Sequence, residues 1–206
     1  MEIGELRVVT RESPTSYTIS PDGPTGPEYD LVRAFADELG VALVIESVDS
    51  VSEILPILLS GDAHMAAAGL SVTDTRREYL NFGHPYNSVD VHLIYKLGTG
   101  RPRSIDDILD RSIEIVASSS HVEILEELQS EHPELTWTEN ADVEFADLLT
   151  KVAMGEVELT VADSPDFNIQ RHFYPDLRIA LDLNLEDQIA WAFPKRSADS
   201  LLARAD

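Results

Sequence analysis

Apolar and polar positions along the chain alternate between two periods, and their order carries most of the early information. Leu6-Arg7-Val8-Val9-Thr10 predicts a first strand, followed by a loop of turn formers, Arg11-Glu12-Ser13-Pro14-Thr15. The run Pro21–Pro27, with three prolines and two glycines, excludes helix and central strand. From Glu28 to Leu39 the residues Tyr29, Val32, Phe35, Ala36 and Leu39 share one helical face, and Gly40 ends it. Val41–Glu46 predicts a buried strand. Ser50-x-x-Glu53 predicts a capping box before a helix around Ile54–Leu59, whose start Pro56 weakens and which Gly61 closes. The apolar Met65–Ala68 follows. Strand, helix, strand, helix, strand is the grammar of an α/β domain with a mostly parallel sheet.

The same grammar restarts downstream. Ile113–Ala117 predicts a strand, His121 to about Ser130 a helix, and Leu135–Thr138 a strand. A helix near Glu144–Met154 closed by Gly155 and a strand at Glu158–Ala162 complete the second series. Between the two lies Ser88–Lys96, an extended run, and Leu177–Leu183 is extended again before Gln188–Phe193. The expectation is two α/β lobes, residues 1–88 with 184–206 and residues 89–183. Hinge segments near 88–96 and 179–185 would absorb the rotation as a cleft closes.

Composition narrows the chemistry. Of 206 residues 38 are Asp or Glu and 15 are Lys or Arg, a net charge of −23. Phosphate-rich partners need a basic face, so nucleic acid and anionic lipid are excluded as partners. Cysteine is absent, which removes disulfides and any thiolate nucleophile or ligand. The acids are uneven: ten lie between Arg111 and Lys151 with no basic residue among them. No stretch reaches the roughly 18–20 apolar residues of a membrane span. The first five residues lack a secretory leader's basic and apolar regions, so the chain reads as cytoplasmic or as a fragment.

Three strand ends carry candidate chemistry. Ala66–Glu78 passes from an apolar strand through Gly69 and Ser71 into a short helix bearing Arg76. Ligands of open α/β sheets bind at such ends, where N–H groups near Gly69 and Ser71 and the Arg76 guanidinium suit a carboxylate. The alternative is a Thr73-Asp74 helix cap with Arg76 solvated. The turn Ser118-Ser119-Ser120 offers N–H groups and hydroxyls to an anion, or a plain serine N-cap. Asp163 ends the third strand, suited to an ammonium or to capping the next helix. A Ser120–His121 nucleophilic pair is disfavoured, since no Gly-x-Ser-x-Gly elbow is present. The six histidines lack metal-ligand spacing, so neither metal nor cofactor is expected and each histidine reads as surface or packing.

Together these marks, with Gly26-Pro27-Glu28-Tyr29-Asp30-Leu31 and Phe82-Gly83-His84-Pro85-Tyr86, resemble the family 3 periplasmic solute-binding proteins over about Leu6 to Pro194. The resemblance implies a type II periplasmic binding protein-like fold. It also implies an amino-acid-like ligand: Arg76 on its α-carboxylate, Gly69, Ser71, Ser119 and Ser120 assisting, and Asp163 on its α-ammonium. The chain departs from the pattern at Thr10–Pro14, where the family often has an acid and an aromatic, and at Val51, often an aromatic.

Val8–Thr15, Ala66–Leu70, Ser119–His121, His132–Trp137 and Tyr174–Arg178 also resemble the N-terminal domain of membrane-bound lytic murein transglycosylases. That implies a non-catalytic regulatory domain sensing a cell-wall peptide (muropeptide) in the periplasm, attached to a catalytic domain at the outer membrane. Glu12-Ser13 and Glu46-Ser47 lie in a loop and at a strand end, and neither is assigned a catalytic role. A free-standing amino-acid receptor for a membrane permease is the alternative, and an enzyme acting on the wall by itself a third reading.

Overall fold

Strand β1 (Glu5–Arg11) opens a computed structural model that describes residues 4–195 and 199–205. A short hairpin follows, β2 (Thr18–Ser20) against β3 (Gly23–Thr25), in the segment whose prolines excluded a central strand. Helix α1 (Pro27–Leu39) uses Pro27 at its first position, where a missing N–H costs nothing, and Gly40 ends it in the left-handed region at φ 70°. Next come β4 (Ala42–Val48), α2 (Val51–Ser60), β5 (Met65–Ala66), α3 (Asp74–Tyr79) and β6 (Leu80–Phe82).

Helix α2 begins at Val51 and continues past Pro56 to Ser60. Its Ser50 cap accepts from Ser52 N, so the expected Ser50–Glu53 capping box is replaced by a tighter serine turn.

The chain then enters β7 (Asn87–Lys96), a 3₁₀ turn (Ile105–Ile108), β8 (Glu114–Val116), α4 (Ser120–Glu131) and β9 (Thr138–Asn140). Helix α5 (Phe145–Met154), β10 (Leu159–Asp163), α6 (Ser164–Phe173) and the long β11 (Leu177–Ile189) complete this part. Strand β9 starts three residues after the Leu135 expected. The apolar Leu135–Trp137 is loop whose Leu135 is fully buried, so burial without a ladder produced the strand-like pattern. Strand β12 (Ala192–Pro194) and helix α7 (Asp199–Ala205) end the described chain.

The contacts divide the chain into two compact units, one up to Ser88 with Gln188 onward, the other Val89–Asp187. The second crossing lies later than the residue 184 expected. Both crossings fall inside strands, β7 and β11, which are neighbours in one sheet.

The first unit holds a five-stranded sheet ordered β4-β1-β5-β12-β6. β1 is parallel to β4 and β5, and β12 is antiparallel to both β5 and β6, so four of the five strands share one direction and the sheet is mostly parallel with β12 reversed. Leu6, Val8, Val32, Phe35, Met65, Ala67 and Phe193 form its core, joining one sheet face to α1.

In the second unit β10 pairs antiparallel with β7 in a three-stranded sheet, and β8 and β9 form a parallel pair. Leu93 and Val161 pack in one core, while their neighbours Ile94 and Ala162 pack in another with Leu149, Val152 and Phe167. Consecutive residues feeding different cores explain why these strands read as continuous apolar runs: both faces are covered.

Candidate ligand-binding residues

In the first unit the sheet delivers two strand ends side by side. β1 and β5 run parallel with Val9 opposite Ala66, and the Thr10 hydroxyl donates to Ala67 O at 2.5 Å. Beyond β5 the chain turns at Gly69, whose φ of 65° is left-handed and suits glycine. Leu70–Val72 then lies against 188–190: Val72 N donates to Gln188 O at 2.8 Å and Ala190 N to Leu70 O at 3.2 Å. Ser71 is therefore buried, 3% exposed. Thr73 caps α3 by accepting from Arg76 N at 3.2 Å, and Arg76 Nη1 donates to Ser71 O at 3.0 Å. Thr73 is thus the helix cap of the plainer reading, while the Arg76 side chain is half-buried and held on the turn.

The Gly69 N–H, expected as a donor to a ligand anion, donates instead to Glu28 Oε1 at 2.8 Å. Glu28 is the second residue of α1 and only 3% exposed. It also accepts from the Tyr86 hydroxyl and from Trp191 Nε1 at 3.0 Å. Burial raises the Glu28 carboxyl above its ordinary value, with the bonds from Tyr86, Gly69 and Trp191 opposing that shift. Burial also raises the Tyr86 hydroxyl, and the neighbouring Glu28 adds to the effect. Glu28 thus ties α1, the Gly69 turn, and the segments of Tyr86 and Trp191 to one point. The sequence pattern assigned it no role of its own. Its signal was an acid directly after a Gly-Pro helix start.

In the second unit Ser118 adopts φ 61°, and Ser119 is the N-cap of α4. The Ser119 hydroxyl donates to Val116 O at 2.7 Å, so it fastens the turn to β8 and caps no helix N–H. Ser120 is the first helical residue and is buried. Asp163 ends β10 and stands at the N-cap of α6, again without a side-chain cap bond. Its Oδ1 lies 2.9 Å from His121 Nε2. His121 is 1% exposed and meets the edge of Phe145 at 5.2 Å between ring centroids. The turn and the acid are therefore brought together, and His121 joins them. His92 is likewise buried and lies 2.8 Å from Asp182 Oδ1 through its Nδ1, and sequence reasoning singled out neither of these two histidines.

Among the described residues no group of three or more His, Asp or Glu side chains is arranged to hold a metal ion. Residues 6–166 match bacterial extracellular solute-binding proteins, family 3. The chain belongs to this family.

Its relatives add length to the picture. Membrane-bound lytic murein transglycosylase F of Saccharophagus degradans is 38% identical over 202 residues, 98% of this chain and 40% of the relative. The protein of that name from Ectopseudomonas mendocina is 40% identical over 204 residues, 98% of this chain and 42% of the relative. The chain thus spans about two fifths of the length of the curated relatives it matches. Among solved structures, an ancestral arginine-binding protein bound to arginine superposes with a TM-score of 0.86 at 21% identity, covering all of this chain and 90% of that one. Holo ArgBP from T. maritima gives 0.83 at 20% identity, over 98% of this chain and 87% of its own. These structures establish the type II periplasmic binding protein fold for this family 3 chain. No helix among the described residues is long and apolar enough to cross a membrane.

Proposed function

We propose that this chain is a ligand-sensing, non-catalytic solute-binding domain that regulates an attached peptidoglycan lytic transglycosylase. The reading is carried by one observation: relatives named as transglycosylases match this chain along nearly its whole length with only about two fifths of theirs. In such a protein a solute-binding unit is an accessory to a further domain, located in the periplasm and held at the outer membrane.

The ligand carries a carboxylate and is a cell-wall-derived peptide or an amino-acid-like fragment. Arg76, fixed on Ser71 O, grips the carboxylate, since an anchored guanidinium presents its fork with little further ordering cost. The Ser119-Ser120 turn and the Asp163–His121 pair serve the ligand from the second unit, Asp163 toward an ammonium. Segments β7 and β11, where the chain crosses between units, act as the hinge. Ligand binding shifts the open–closed balance only as far as the ligand prefers the closed form.

Calorimetry with muropeptides and free amino acids tests the ligand class. Arg76→Ala should weaken binding by about 1.5–3 kcal/mol, the value of a charged hydrogen bond. Unchanged affinity removes Arg76 from the site. Transglycosylase activity of the full-length protein should respond to the same ligand, and activity indifferent to a ligand that binds overturns the regulatory reading. Release of anhydro-sugars from peptidoglycan by the isolated chain would overturn its non-catalytic character.

A further inference from the structure

Asp163 stands where an aspartate ordinarily caps a helix, as the N-cap of α6, yet its carboxylate makes no cap bond. Part of the reason is local. Pro165, the second residue of α6, has no N–H to offer, which leaves Asp166 N as the remaining usual cap partner. The other part is His121, whose Nε2 lies 2.9 Å from Asp163 Oδ1 and draws the carboxylate toward α4 instead. Asp163 Oδ2 makes no hydrogen bond among the described residues, and the side chain is 18% exposed against 1% for His121.

The fold fixes His121 in this place. Ser118 turns the chain at φ 61°, the Ser119 hydroxyl fastens the turn to β8, and His121 follows as the second residue of α4 with Phe145 of α5 against its ring. Nδ1 is buried without a partner, so the tautomer that fits carries its proton on Nε2 and donates it to Asp163. Such a donor orients the carboxylate and brings no formal charge of its own. Glu114 and Glu158 of the same unit instead meet Lys151 and Arg111, cations that already balance them. The other buried histidine, His92, meets Asp182 inside β11, an acid whose side chain is 58% exposed and lies at no strand end. Asp163 combines a strand end, a held orientation and a charge that no Lys or Arg balances.

We propose that His121 is a positioning residue of the ligand site: it holds the Asp163 carboxylate off the start of α6 and leaves Oδ2 for a ligand ammonium, so that the site selects amine-bearing ligands over their desamino analogues. This rests on the reading that Asp163 takes an ammonium. With Oδ1 engaged by the imidazole, the ammonium donates a charge-assisted hydrogen bond to Oδ2. A carboxylate already held in one orientation loses little rotamer freedom when the ligand arrives. Without the imidazole N–H the carboxylate swings to Asp166 N and caps α6. Loss of His121 therefore costs selectivity more than stability.

The probes are amine and desamino pairs, alanyl-glutamate with propionyl-glutamate and arginine with desamino-arginine. They are titrated calorimetrically into the wild-type chain, His121→Leu, His121→Gln and Asp163→Asn. The wild type should prefer the amine member of a pair by roughly 10- to 100-fold. His121→Leu should reduce that preference to about threefold or less. Its desamino affinity and urea midpoint should stay near the wild type. His121→Gln, whose amide N–H can stand in for Nε2, should restore part of the preference. A preference intact in His121→Leu, or a variant that weakens both members alike and loses stability, makes His121 a packing residue and overturns the inference. Should His121→Leu fail to fold by circular dichroism, nitrogen NMR of the wild type decides: the His121 Nε2–H signal should shift on saturation with the amine probe and not with its desamino partner. Equal shifts overturn the inference. If Asp163→Asn abolishes the preference and His121→Leu keeps it, the ammonium reading survives and the role of His121 falls. If the wild type binds neither amine probe, or does not distinguish the members of a pair, the ammonium reading itself falls.

Discussion

The Gly69 N–H donates to Glu28 Oε1 at 2.8 Å, joining the turn after β5 to the first turn of α1 across 41 residues of sequence. The same carboxylate takes the Tyr86 hydroxyl and Trp191 Nε1–H, so its removal orphans three donors at once. Leaving a buried donor unpaired costs about 1–3 kcal/mol. Glu28→Ala should therefore lower unfolding free energy in urea by at least about 2 kcal/mol and displace the Gly69 turn. A loss below about 0.5 kcal/mol would mean that water replaces the carboxylate without consequence.

Glu28 also gives stability a pH slope. Burial raises its carboxyl above the ordinary 4.5. As pH climbs past 4.5 the unfolded chain loses this proton while the folded chain keeps it. The contribution is thus full below 4.5 and is lost as pH rises through the raised folded value. Glu28→Gln cannot titrate. The wild type should lose stability relative to Glu28→Gln as urea midpoints are followed upward from pH 4.5, and a constant difference would refute the assignment.

How legible all this was in the sequence depends on whether a residue's neighbours are local. Helix α1 was readable because Val32, Phe35 and Ala36 repeat at helical spacing and Gly40 stops them. The strand end carrying Arg76 was readable because Thr73 caps α3 within four residues. Glu28 was not: its donors stand at Gly69, Tyr86 and Trp191, and no local pattern announces such a meeting. His121 was missed likewise, its partner lying 42 residues on. The mostly parallel sheet was legible in the alternation of strands and helices, but the reversal of β12 was not, because a strand returning from the second unit can enter the first sheet in either direction.

The His121–Asp163 pair separates packing from ligand contact. His121 Nδ1 is buried without a partner among the described residues, so Nε2 carries the ring's polar bonding through Asp163. Asp163→Ala would leave both ring nitrogens unpaired in a buried site and should cost about 1–3 kcal/mol in thermal or urea unfolding. Asp163→Asn retains an acceptor and should cost less than half as much. If Asp163 also holds an ammonium, the Asn variant should weaken binding of an amine-bearing ligand by about tenfold or more despite its near-normal stability. Equal ligand affinity in Asp163→Asn would confine this acid to packing.

Two acids of the second unit work in the opposite pH direction from Glu28. Glu158 accepts from Ser112 N at 2.9 Å and lies 3.2 Å from Arg111 Nε, which holds its carboxyl below the ordinary 4.5. Burial pushes Glu114 up, but Lys151 Nζ at 2.8 Å and the Asn140 amide outweigh it, and this carboxyl too ends low. Their stabilisation is full above 4.5 and disappears as pH falls through the lowered folded values. Glu158→Gln and Glu114→Gln should each flatten the acid limb of stability against pH, and Lys151→Met should shift that limb upward in pH through Glu114 alone. An unchanged acid limb in both Gln variants would place the acid sensitivity elsewhere.

The tightest steric constraint supporting the site lies at Gly26, the N-cap of α1. Its φ of 136° is a conformation that side-chain-bearing residues rarely adopt, and an added Cβ would sit 2.4 Å from Ser16 O. That oxygen is already engaged, since it accepts from Glu28 N at 3.2 Å and Tyr29 N at 3.4 Å and so satisfies the start of a helix whose N-cap has no side chain. Gly26→Ala must move the Ser16 carbonyl or the helix start. Either movement breaks those two bonds and carries Glu28 away from Gly69. Strain at a positive φ of about 1–3 kcal/mol adds to the lost bonds, so the variant should be destabilised by at least about 2 kcal/mol. Ligand affinity should fall along with stability, because the turn that anchors Arg76 through Ser71 is held by the same Glu28. A Gly26→Ala chain of normal stability would show that the loop before α1 yields freely and that Glu28 is positioned by its partners alone.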